Sequence, residues 1–167
     1  MRNRKEGSIK HYKSSQKILL VGEGDFSFSD CLARSFGSAS NMVATSLLSK
    51  DMLLKTHRNC LPHLGELERT GCLVLYEVDV NDMRQYLTLQ DEKFDVIVFN
   101  FPHAGHFYWL EIARKAGLVL KQEVAFYQTD YPGYHNKRGS FIDGNKKFPL
   151  PLGDCFTFVF SRQEIFI

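Results

Sequence analysis

The sequence predicts an α/β domain built on a doubly wound, mostly parallel sheet. Three observations carry that expectation. The apolar run Ile18–Leu19–Leu20–Val21 ends in two glycines, Gly22 and Gly24, and a helical pattern follows within a few residues. That succession is a buried strand, a tight turn and a helix start. Apolar, β-branched runs then alternate with helix-patterned stretches, as strand–helix–strand units require. The chain has 167 residues, a length that suits one such domain.

Residues 1–16 read as a basic, flexible arm, with Arg2, Arg4, Lys5, Lys10 and Lys13 and then Lys17 just beyond it, and residues 17–161 as the domain. The first strand is expected over 17–22. The helix behind it places Phe28, Leu32, Ala33 and Phe36 on one stripe, and Gly37 suits the position past its end. A second strand is expected over 42–47, with Ser49 capping a helix over 50–60. Pro62 opens another short helix that stops at Gly71. The third strand spans 72–78 and a short helix 82–89; the fourth strand spans 94–100 and runs into Phe101–Pro102–His103–Ala104–Gly105. A helix over 107–116 ends at Gly117, strand 118–126 follows, and a polar loop over 127–154 leads to a final strand, 155–160. The last two strands should pair antiparallel, with 118–126 beside strand four as the favoured arrangement and 155–160 in that place, antiparallel, as the alternative.

Composition narrows the class. No apolar run is long enough to span a bilayer, and the polar, basic start shows no secretory apolar segment. Cys31, Cys60, Cys72 and Cys155 are scattered singly, without the paired spacing of a zinc site, and read as reduced intracellular thiols. No metal and no membrane partner is expected. Net charge is +2, but Lys137, Arg138, Lys146 and Lys147 concentrate cations in one late loop. Such a cluster suits RNA phosphates, and equally a solvated loop.

The glycine turn limits the cofactor. A dinucleotide site wants a third glycine and an acid near the end of the next strand. Here Ser27 holds the third position, and no carboxylate follows strand two before Asp51. S-adenosylmethionine fits a short turn that lacks a pyrophosphate cradle. Glu23 and Asp25 beside the turn favour a cationic ligand and repel phosphate. Candidate cofactor-binding residues are Gly22, Glu23, Gly24, Asp25, Phe26, Ser27, Ser46 and Asp79. Asp79 or Asp82 could accept from an adenine amine or cap the short helix. Asn100, Pro102 and His103 follow strand four, at the carboxyl edge where a crevice forms. His103 is the group there able to exchange a proton near neutral pH. Tyr131, Lys137 and Arg138 mix an aromatic face with cations, the composition that holds unpaired bases or simply makes a long loop.

Three segments together resemble a known family. V-G-E-G-D-F-S-F-S at 21–29, F-D-V-I-V-F-N-F-P-H-A-G at 94–105 and D-Y-P-G-Y-H-N-K-R-G at 130–139 are similar to the Rossmann-like, class I methyltransferase-like domain of eukaryotic 25S rRNA (uridine-N3)-methyltransferases. I-K-H-Y-K-S-S-Q-K before the first strand resembles the plant branch. The resemblance implies an S-adenosylmethionine-dependent enzyme that methylates N3 of a uridine in large-subunit rRNA. It implies that Gly22–Ser27 hold the methionine part of the cofactor, that Asp79 lies near the adenosine, and that Asn100–His103 face the uracil. A nucleolar or nuclear location goes with that substrate, with the cytoplasm as the alternative.

Two departures stand out. Leu48 sits where the family carries a ribose-binding acid. After Gly105, His106–Phe107–Tyr108–Trp109 joins almost directly to the next helix, so about one strand–helix repeat is missing, roughly 30 or more residues. These departures raise a rival expectation, an inactive RNA- or protein-binding remnant of the fold.

Overall fold

The computed structural model describes residues 6–100, 106–116, 118–136 and 155–162. Pro102, His103, Lys137 and Arg138 lie outside the described residues. The chain forms two compact units, one of residues up to Asn100 together with the segment from Gln128, the other holding the last helix and the last two strands.

The first unit opens differently from the arm expected over residues 1–16. Its described part is folded: β1 (Ser8–Ile9) and β2 (Tyr12–Lys13) make a small antiparallel hairpin. Lys10 turns the chain with φ 53°. Tyr12 is buried, and its ring meets Phe28 edge-on at 6.0 Å. Gly7 leaves no room for a side chain, since a Cβ there would stand 2.6 Å from Phe36 Cα.

The sheet follows. β3 (Ile18–Val21), β4 (Met42–Thr45), β5 (Leu73–Leu75) and β6 (Val96–Phe99) are parallel, in the order β5-β4-β3-β6. The first strand in the sequence is therefore flanked by the second and the fourth. β3 and β4 are buried at every position, which is why they read as unbroken apolar runs. Leu19, Val21 and Val43 pack on one face with Val78 and Leu89, and Leu75, Met83, Tyr86 and Phe94 close around them. Ile18, Leu20, Met42 and Ala44, of the opposite pleat, are fully buried.

α1 (Ser27–Phe36) ends on Gly37 in the left-handed region, as expected of the residue past a helix end. α2 (Lys50–Thr56) starts at Ser49, whose hydroxyl accepts from the Met52 N–H at 3.3 Å; it stops short of the expected residue 60. α3 (Leu61–Thr70) carries Pro62 in its first turn and ends on left-handed Gly71. The helix expected over 82–89 is only a single 3₁₀ turn, Met83–Gln85. Asp79 begins that stretch with an Asx turn, accepting from the Asn81 N–H at 2.9 Å, and this local bond competes with helix.

In the second unit α4 (His106–Lys115) precedes β7 (Leu118–Ala125), which pairs antiparallel with β8 (Phe156–Arg162). The pairing is as expected, but its place is not. β7 and β8 form a two-stranded sheet of their own, and neither is a member of the four-stranded one. The four-stranded parallel sheet with its helices agrees with the expected Rossmann-like α/β class, and among the described residues β7 and β8 are laddered to each other alone. The ladder shifts register between Leu120 and Gln122.

Candidate active site

In an open α/β sheet, ligands bind beyond the carboxyl ends of the strands, where the strand order reverses. Here that point lies between β3 and β6. Val21 is paired with Phe99, so the residues that follow, Gly22 and Asn100, leave the sheet side by side. Gly22 has φ 68°, a conformation that glycine adopts without cost. A Cβ on it would stand 3.1 Å from Phe99 Cε2. Gly24 has no such backbone demand, and a Cβ there would meet the His57 ring at an ordinary 3.6 Å.

The turn delivers its carboxylates to the helix. Phe26, at the N-cap of α1, is left-handed with φ 61° and has no side-chain cap. Asp25 Oδ1 instead accepts from the Ser27 N–H at 3.1 Å. Glu23 Oε2 accepts from the Ser29 N–H at 3.2 Å and from the Ser29 hydroxyl at 2.7 Å. Two N–H groups of the first helical turn are thus satisfied from within. With two acidic side chains already placed there, this helix start cannot serve as a pyrophosphate cradle.

Glu23 is buried, and desolvation pushes its carboxyl up to about 7, against the pull of the Ser29 bonds. The neighbouring charge of Asp25 acts in the same upward direction, while Asn100 favours the ionised form. Asn100 Nδ2 is itself buried and close enough to Glu23 to act on its carboxyl. Gly22, Gly24 and buried Glu23 thus stand together at the switch point of the sheet.

The remaining candidates divide. Ser46 is buried, and its hydroxyl accepts from the Leu48 N–H at 3.4 Å, so it shapes the turn after β4. Its N–H bonds Leu75 O and its carbonyl accepts from Val78, which ties the ends of β4 and β5 together. Leu48 is half-buried in that turn, and Asp51 lies exposed on α2. Asp79 holds its Asx turn. The Ser27 hydroxyl turns to the late segment, donating to His135 O at 3.3 Å and accepting from the His135 N–H at 3.2 Å. Tyr131 is buried against Phe28 rather than offered to solvent, with ring centroids 5.1 Å apart. Of the two readings of this aromatic, base stacking or part of a long loop, the burial places its ring in packing with Phe28.

Two further residues take part. His57 is buried beside Gly24, brought there by the end of α2. Tyr134 is buried, and the charges of Glu23 and Asp25 add to the burial that keeps its phenol protonated. No local sequence pattern marks either, because each arrives by a long-range contact.

A protein-family model described as rRNA (uridine-N3-)-methyltransferase BTM5-like matches residues 19–110, more than half of the chain. The chain belongs to the BMT5-like family. The match ends within α4, just past the junction where about one strand–helix repeat is missing from the expected pattern. The heavy metal-associated isoprenylated plant protein 41 of Arabidopsis thaliana is 38% identical over 204 residues, covering 94% of this chain and 39% of that protein. The uncharacterized protein At4g26485 of Arabidopsis thaliana is 35% identical over 203 residues, 93% of this chain and 97% of that protein. Human ferredoxin-fold anticodon-binding domain-containing protein 1 is 32% identical over 121 residues, 68% of this chain and 17% of that protein. No solved structure matches. Both plant matches run over more positions than the 167 residues of this chain, so those family members carry residues in the matched span that this one lacks. Among the described residues, no group of three or more His, Cys, Asp or Glu could hold a metal ion, and no helix is long and apolar enough to cross a membrane.

Proposed function

We propose that this chain is an S-adenosylmethionine-dependent methyltransferase acting on N3 of a uridine in large-subunit rRNA, in the nucleolus or nucleus. One observation carries the reading: a glycine turn stands at the switch point of the sheet, and its own carboxylates, Glu23 and Asp25, cap the helix behind it. S-adenosylmethionine, when bound, supplies an electrophilic methyl group on a sulfonium. Gly22 and Gly24 let the backbone come close to it. Glu23 and Asp25 give the crevice the negative field that a sulfonium and an ammonium seek. Asn100 offers its amide donor to a uracil carbonyl and fixes the ring plane. His103, two residues beyond Phe101 in the sequence, takes the N3 proton directly or through water. The uridine enters single-stranded or flipped, and Lys137 and Arg138 hold its phosphates.

A second reading is favoured by the shorter matched span and by Leu48. An RNA- or protein-binding remnant would keep the fold and lose the chemistry. Calorimetric titration with S-adenosylhomocysteine, together with labelled methyl transfer to rRNA, separates the two. Binding and transfer, with transfer lost in His103→Ala at unchanged cofactor affinity, uphold the enzyme. A folded chain that is silent in both assays upholds the remnant.

A further inference from the structure

The segment that begins at Gln128 is built onto the first turn of α1, and one hydroxyl makes the join. Ser27 is the first residue of α1 and is fully buried. Its Oγ donates to His135 O and accepts from the His135 N–H, at 3.3 and 3.2 Å. A side chain that satisfies both the donor and the acceptor of one backbone residue fixes that residue's position and its orientation. The segment is ordered from within as well. Gln128 Nε2 donates to Tyr134 O at 2.8 Å, and the Tyr134 N–H donates to Tyr131 O at 3.1 Å. Tyr131 and Tyr134 pack on Phe28, the neighbour of Ser27, with ring centroids at 5.1 and 5.2 Å. Asp130 adds an ion pair with Lys10 at 2.7 Å.

Ser27 also belongs to the turn. Its N–H is held by Asp25, two residues after Gly24's neighbour Glu23 has taken up Ser29. The same residue therefore faces the cofactor turn through its backbone and the late segment through its side chain. We infer that Ser27 is a positioning residue that latches the Gln128–Asn136 segment to the cofactor turn, so that RNA is received on a surface set by that turn. The inference rests on the proposed methyltransferase reading for its substrate, RNA, and on geometry alone for the latch. It reassigns the Ser27 hydroxyl from cofactor ligand to latch. The basic residues Lys137 and Arg138 follow the latched segment directly in the sequence.

Hydrogen exchange of the full chain, read over 128–136, tests the latch without any need for activity. Ser27→Ala should raise exchange there by about tenfold or more, the effect of losing two neutral hydrogen bonds. Gln128→Ala loosens the same segment without touching the turn, so it should show the same rise. Both variants should bind a single-stranded, uridine-containing RNA oligonucleotide less tightly by about fivefold to tenfold, with S-adenosylhomocysteine affinity within about twofold of the parent. Unchanged exchange in Ser27→Ala overturns the latch. So does a selective loss of S-adenosylhomocysteine affinity in that variant, which would return the hydroxyl to the ligand. Faster exchange with unaltered RNA affinity in both variants removes the coupling. If the parent chain binds neither ligand, the methyltransferase reading fails, and the exchange measurement still decides the latch.

Discussion

The Glu23 carboxylate accepts two hydrogen bonds from Ser29, one from its backbone N–H and one from its hydroxyl, and it does so in full burial. A carboxyl so placed is a cap and a titrating group at once. Unfolded, it titrates near 4.5; folded, burial raises it to about 7. Between these values the folded state holds the extra proton. Its contribution to stability is therefore fully present below the lower value and is lost as pH rises to the upper one. The gap corresponds to on the order of 3 kcal/mol. Glu23→Gln keeps an acceptor for Ser29 and removes the titration. Urea unfolding of this variant should show a flatter pH dependence between pH 5 and 7.5 than the parent, and higher stability at pH 8; parallel curves would show that another group is responsible.

A cationic ligand beside Glu23 favours its ionised form, so binding should release a proton near neutral pH. S-adenosylmethionine affinity is accordingly expected to rise from pH 6 to pH 8, and to lose that slope in Glu23→Gln. Calorimetry in two buffers of different ionisation enthalpy reads the released proton directly.

Gly22 and Gly24 should respond differently to alanine. Gly22 is left-handed and pressed by Phe99, so Gly22→Ala should cost about 1–2 kcal/mol from backbone conformation alone. At Gly24 a methyl group meets His57 at ordinary contact distance, so Gly24→Ala should stay within about 0.5 kcal/mol of the parent. A branched Gly24→Val would press on His57, so its loss of cofactor binding must be read together with its melting curve. Equal costs at the two glycines would contradict the described turn.

Leu48 stands where the family resemblance expects a ribose-binding acid, in the turn between β4 and α2. Leu48→Asp should tighten S-adenosylmethionine binding about tenfold, as one charge-assisted hydrogen bond of roughly 1.5–3 kcal/mol allows. No gain in a folded variant would mean that the turn does not face the ribose.

Asp30 clamps α1 to α3. Its buried carboxylate meets His63 Nδ1 at 2.6 Å and Arg34 Nε at 2.8 Å. His63→Ala leaves part of that carboxylate unpaired and should cost about 1.5–3 kcal/mol. A double-mutant cycle with Asp30→Ala should return a coupling near 1 kcal/mol or more, and additive losses would show the contact to be idle.

The sequence by itself determined the elements whose signals are local. Ser49, Pro62, Gly37 and Gly71 mark helix ends because capping and left-handed geometry involve residues within one turn of each other. The buried runs at 18–21 and 42–45 read as parallel strands because a strand covered on both faces must be apolar throughout, and the Gly22 turn follows from its place after such a run. Tertiary structure decided everything that depends on a distant partner. It set residues 8–13 of the expected arm in a hairpin, since Tyr12 finds Phe28. It spent Asp25 and Glu23 on the start of α1, because Phe26 offers no cap. It reduced 82–89 to one 3₁₀ turn, and set β7 and β8 in a sheet of their own. His57 beside Gly24, and the Ser27 hydroxyl on a backbone unit 108 residues away, leave no trace in local spacing, because a hydrogen bond records the geometry of two atoms and not the number of residues between them.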